Sequence, residues 1–241
     1  MSAAAPQTFV EKAQQAAAAA PILPGDDQAL ALLQDARQHI YHWPARFAGF
    51  QARLRVADQH WTLIAPNSRS FRIEPQLEKT DELFGWTHYH LGEILSHREH
   101  PKVHQMASKT GVLWGDWDDT YGRRLDFAGD KMSSFYRIKD QRIQQISRRY
   151  GGQHFLICID RHHRFAGRWA AANYVAYYWD AQGELAKVES YHDDFVRIGG
   201  VWLPSLRRFT VVEGNQTRHR SLELSEHQLL TVQKRSSHAT H

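Results

Sequence analysis

Residues 134–163 read SFYRIKDQRIQQISRRYGGQHFLICIDRHH, and their reading decides the fold. Three runs rich in aromatic and β-branched residues, SFYRIKD, IQQISRRYG and QHFLICIDRHH, follow one another with only the turn pairs Lys139-Asp140 and Gly151-Gly152 to separate them. No apolar period of three to four residues interrupts them, so the segment predicts strands rather than helices. Strands joined by short turns pair antiparallel.

The same pattern extends outward in both directions. Downstream lie NYVAYYWDA (173–181), LAKVESYHDDFVRI (185–198), VWLPSLRRFTVVEG (201–214) and TRHRSLELSEHQLL (217–230). Gln182-Gly183, Gly199-Gly200 and Gly214-Asn215 punctuate them. Upstream lie RRLDFAG (123–129) and VLWGDWD (112–118), with turns at Gly129-Asp130 and Tyr121-Gly122. Further upstream Phe50, Ala52, Leu54 and Val56 alternate with Gln51, Arg53 and Arg55, the period-2 mark of a half-buried strand. HWTLIA (60–65) reads as its hairpin partner across Asp58 and Gln59.

Helical spacing occurs twice. Asp26 and Asp27 are N-cap candidates before Ala29, Leu30, Leu32, Leu33, Ala36, Ile40 and Tyr41, a helix that must stop near Trp43 because Pro44 follows. Leu77, Leu83, Phe84, Leu91, Ile94 and Leu95 predict a second helix from 76 to 99, ended by Pro101. The fold class is therefore α+β: a meander of about nine to eleven antiparallel strands packed against two helices. So large a sheet should curl into a half-barrel with the helices across its concave side. Residues 26–233 form one β-rich domain in this reading, with 1–25 a helix-prone or flexible extension and 234–241 a disordered tail.

Composition narrows the function. The chain has 241 residues with a formal charge of +4, too little for a nucleic-acid footprint. No apolar run reaches the ~18 residues of a membrane helix. A single cysteine, Cys158, excludes a disulfide framework. The first residues lack a basic n-region and carry Glu11 and Lys12 where an apolar core would sit, so the expected compartment is the cytoplasm. Phosphate loops, dinucleotide glycine fingerprints and serine elbows are absent.

Two groups of residues remain as site candidates. The first is aromatic. A curled sheet makes a hollow, and Trp114, Phe135, Phe155, Tyr177, Trp179 and Trp202 are candidate liners, with Arg148 for a polar head group. If Arg148 or Arg149 faces inward, it needs a carboxylate such as Asp126 or Glu189, or an acidic ligand. The second draws on the sixteen histidines of this histidine-rich chain. His90, Glu93 and His97 stand at i, i+3 and i+7, on one helix face, a set that suits a divalent transition metal. His88, His100 and His104 lie near. Asp160 to Arg164 read as a solvated hairpin tip, Asp116, Asp118 and Asp119 as a polar turn, and Cys158 as a buried, inert thiol.

Several stretches together resemble a known pattern: ARQHIYHWPARFAGFQARLRV (36–56), ILSHRE (94–99), residues 127–160 with Gly129-Asp130, Met132, Ser134, Tyr136 and Ile146-Ser147-Arg148, and YHDDFVRIGGVWLPSLRRFTVVEGNQTR (191–218). This is similar to domain-of-unknown-function family 3386, a family without an assigned activity. The Gly199–Pro204 strand also resembles the LolA-like lipoprotein-carrier fold, a curved antiparallel sheet whose aromatic hollow holds acyl chains. The expected function is a soluble binding protein holding an apolar or amphipathic small molecule on the concave face. The alternatives are a metal-dependent enzyme built on His90, Glu93 and His97, and a protein partner that pairs through the sheet edge.

Overall fold

The structure, a computed structural model, describes residues 25–67, 70–75, 81–98 and 111–231. It is α+β. Two helices, α1 (Asp27–Gln38) and α2 (Glu82–Ser96), accompany twelve strands. These are β1 (Phe50–Val56), β2 (Gln59–Ala65), β3 (Arg72–Glu74), β4 (Gly111–Asp118), β5 (Gly122–Ala128), β6 (Phe135–Lys139), β7 (Arg142–Tyr150), β8 (Gln153–Phe165), β9 (Arg168–Trp179), β10 (Leu185–Ile198), β11 (Val201–Glu213) and β12 (Gln216–Leu229). They form one antiparallel sheet, ordered β3-β2-β1-β12-β11-β10-β9-β8-β7-β6-β5-β4 and not closed. The strand beyond the expected range is β3, only three residues long and too short for a periodic signal.

The chain divides into two compact units. Among the described residues the first comprises 25–41, 111–192 and 209–219; the second comprises 42–67, 70–75, 81–98, 193–208 and 220–231.

In the first unit α1 is capped by Asp26, whose Oδ1 accepts the backbone amides of Gln28 and Ala29 at 2.8 and 2.9 Å. Ala29, Leu33 and Ala36, at i, i+4 and i+7, form its buried stripe. They pack on Val112, Leu125, Tyr136 and Ile138, with Phe127, Ile143 and Ile146 around them. The helix ends at Gln38, earlier than the expected Trp43, because the chain leaves it to pair with β9. Trp169 N donates to His39 O at 2.6 Å and Tyr41 N to Trp169 O at 2.7 Å. A second departure concerns residues 161–164. They are not a hairpin tip, because β8 runs to Phe165 and the turn falls at Ala166-Gly167.

In the second unit Asp81 caps α2 by accepting the Phe84 amide at 2.8 Å. Phe84, Thr87, His90, Leu91, Ile94 and Leu95 make the buried stripe. Residues 76–80 and 99 of the expected helix lie outside the described residues, as do His100, His104 and both terminal extensions. Phe50, Ala52, Leu54 and Val56 of β1 and Trp61, Leu63 and Ala65 of β2 are buried, as the alternation requires. Gly49 has φ +93°, and a Cβ there would stand 2.1 Å from Ala65 O, so only glycine fits.

Candidate functional site

Directly paired residues of neighbouring strands share a face of the sheet, so the register sorts the aromatic candidates. One row of the first unit runs Trp114, Leu125, Tyr136, Ile146, Ile157, Ala176 and Glu189. It lies on the face that receives α1. The next row in register on that face holds Arg148, Phe155, Tyr178 and Lys187. The opposite face carries Leu113, Asp126, Phe135, Ser147, Leu156, Tyr177 and Val188 in one row. Arg149, His154, Trp179 and Leu185 stand in the row beside it.

The seven aromatic and arginine candidates therefore do not converge. Phe135, Tyr177 and Trp179 share the face turned away from α1. Trp114, Arg148 and Phe155 lie on the other, where Phe155 is core at 4% exposure and Trp114 is exposed under the Arg123 guanidinium. Trp202 belongs to the second unit, where its carbonyl accepts the Trp43 indole N–H at 2.9 Å.

The face turned away from α1 has a definite chemistry. Phe135, Leu156, Tyr177, Trp179 and Val188 are half-buried, and Leu185 is exposed. The rings of Tyr177 and Trp179 stack at 6.0 Å, and His154 stacks on Trp179 at 4.7 Å and 18°. Ser147 Oγ stands 2.9 Å from His154 Nε2. Burial and then the Arg149 charge push the His154 pKa down, which keeps the imidazole neutral at pH 7. Cys158 is buried beside Gln145, whose Nε2 donates to its sulfur at 3.3 Å, and burial pushes its thiol pKa up, which disfavours the thiolate. A cleft of about 530 Å³ opens at one end of this face. Its lining includes Arg149, Gly152, Gln153, His154, Trp179 and Gln182.

Arg148 has a partner, but not a carboxylate. Its Nη2 donates to Tyr136 Oη at 2.9 Å. Burial alone would raise the Tyr136 pKa; the Arg148 and Arg37 guanidiniums outweigh it and bring the phenol below its usual value. Asp126 is instead taken by Arg124 at 2.7 Å. Glu189 accepts the phenols of Tyr178 and Tyr191 at 2.8 and 2.9 Å.

The second unit holds the histidine candidates. His90 is buried, and Glu93 faces the same way, with His90 Nδ1 3.7 Å from Glu93 Oε2. What they surround is a guanidinium. Arg207, fully buried, donates from Nη1 to Glu93 Oε2 at 3.0 Å, and from Nε and Nη2 to the two oxygens of Asp193, each at 2.7 Å. His90 Nδ1 lies 3.5 Å from Arg207 Nη1. His97 is the C-cap of α2 and is exposed. A permanent cation thus lies at the point where His90 and Glu93 meet. Among the described residues no three His, Cys, Asp or Glu side chains are grouped to hold a metal ion.

The sequence reading passed over Arg207. The signal was present, since Val201, Leu203, Phe209 and Val211 are buried apolar positions of β11 and Arg207 shares their parity. Of the three aspartates read as a polar turn, Asp116 and Asp118 lie in β4 and Asp119 in the turn that follows: Asp118 Oδ1 accepts the Thr120 and Tyr121 amides, and Asp116 pairs with Arg137 at 2.7 Å.

The family model described as a protein of unknown function, DUF3386, matches residues 25–230. The chain belongs to this family. No curated protein and no solved structure matches it. The DUF3386 match takes in α1, α2 and every strand described above. No helix among the described residues is long and apolar enough to cross a membrane.

Proposed function

We propose that this DUF3386 protein binds an apolar or amphipathic small molecule against the face of the first unit turned away from α1. The observation that supports this reading is the half-buried aromatic and aliphatic row of Phe135, Leu156, Tyr177 and Val188, continued by Trp179 into the cleft. An exposed patch of this kind, bordered by polar groups, is the ordinary mark of a binding surface. A ligand that covers it gains ~25 cal/mol for each Å² of apolar surface removed from water, or about 0.8 kcal/mol per CH₂ group. The LolA-like carrier resemblance of residues 199–204 and the cytoplasmic placement belong to the same proposal and rest on the sequence alone.

Native mass spectrometry of gently purified protein tests it, together with quenching of tryptophan fluorescence by added single-chain amphiphiles. A co-purifying small molecule, or saturable quenching lost in Tyr177→Ser with Leu156→Ser, is the expected result. Repeated recovery of bare protein with no saturable binding would remove the proposal.

A further inference from the structure

At the cleft end of the aromatic face stands a charged group with nothing to answer it. Arg149 is exposed at the mouth of the cleft, in the row of His154, Trp179 and Leu185. Among the described residues its guanidinium donates no hydrogen bond and makes no ion pair. Arg124 and Arg137, on the same face, are already committed to Asp126 and Asp116. Asp180 also lines the cleft, but its Oδ1 is turned into its own loop and accepts the Gln182 and Glu184 amides at 2.9 and 3.0 Å. The floor is backbone: a Cβ at Gly152 would stand 3.2 Å from Ala181 Cβ, so the two turns are in close approach there. Gln153 and Gln182 supply amide donors around the same space.

We infer that the molecule held on this face carries one anionic head group, a carboxylate or a phosphate monoester, and that Arg149 binds it at the mouth of the cleft. The inference rests on the proposed function and specifies its ligand. Guanidinium forks match both oxyanions, and among the described residues Arg149 is the one arginine or lysine that lines the cleft. The apolar body then has a continuous track. It runs from Trp179 to Tyr177, whose rings stack, and on across Leu156 and the small, buried Ser147 to Phe135, three strand spacings or about 14 Å. His154 forms the wall beside the head group as a neutral ring and adds no second positive charge.

The experiment is a fluorescence titration with three probes of equal chain length: dodecanoate, dodecyl phosphate and 1-dodecanol. It uses the full chain, Arg149→Gln, and Arg53→Gln as a charge-matched control in the second unit. The expected result is that an anionic probe binds about tenfold tighter than the alcohol, a difference of the size of one charge-assisted hydrogen-bonded contact. Arg149→Gln should erase that difference and match the wild-type circular dichroism; Arg53→Gln should leave the difference intact. Added salt should shrink it. The preferred anion identifies the head group. Equal binding of alcohol and anions, or an anion preference that survives Arg149→Gln, overturns the anionic ligand while the apolar site stands. Absence of binding by all three overturns the proposed function itself.

Discussion

Arg207 is the residue whose environment is most exacting. It is buried without exposure, forked onto Asp193 and touched by Glu93 from α2. Such a cluster adds little net stability over an apolar replacement, yet removal of one partner strands the other charges. Arg207→Ala should therefore cost about 3–5 kcal/mol in urea unfolding, since it leaves Asp193 buried and unpaired. A loss below about 1 kcal/mol would mean that water reaches the cluster. The neighbouring-residue problem recurs at 148 and 149. Both arginines were visible in the sequence, but which one shares a face with Tyr177 and Trp179 depends on where the turn at Gly151-Gly152 sets the register. A shift of one residue exchanges their faces, so this choice was out of reach without the pairing.

At the scale of elements, the strands were legible because each is bounded by residues suited to φ > 0 and carries alternating burial, as β9 and β11 do. The helix ends were less so. α1 is cut short by pairing between residues 39–41 and Trp169, a long-range event that local propensity does not encode. β3 was missed because three residues cannot display a period. Two substitutions test the local accounts. Asp81→Ala removes the side-chain acceptor of α2 and should cost about 1 kcal/mol in thermal or urea unfolding. Gly49→Ala places a methyl against Ala65 O at a backbone angle suited to glycine, and should lower the melting temperature more than Asp81→Ala does. If Gly49→Ala melts with the wild type, the tight passage between residue 49 and β2 is not present in solution.

For the molecule as a whole, the histidines set the response to acid. His162 sits on β8 with Nε2 3.2 Å from Ile143 O, and burial first, then Arg142, lowers its pKa to about 4. His154 and His227 are lowered as well, mainly by burial. Each imidazole binds its proton more readily unfolded than folded. Their contribution is therefore present above the unfolded value near 6.5 and is lost as the pH falls through the folded values, toward about 4 for His162. The midpoint of urea unfolding should drop steadily between pH 6.5 and 4, and His162→Gln should flatten part of that slope. A midpoint constant over the interval would show that these rings titrate as free imidazole.

The peptide just ahead of α1 is fastened to the sheet. Asp26 N donates to Val112 O at 2.7 Å, and a Cβ on Gly25 would meet Val112 N at 2.4 Å. Anyone shortening this polypeptide for crystallisation should begin no later than residue 25. A start a few positions further on would discard both the clasp on the outermost ribbon and the cap of the rod that follows, and would leave a raw border inviting clumping in the tube.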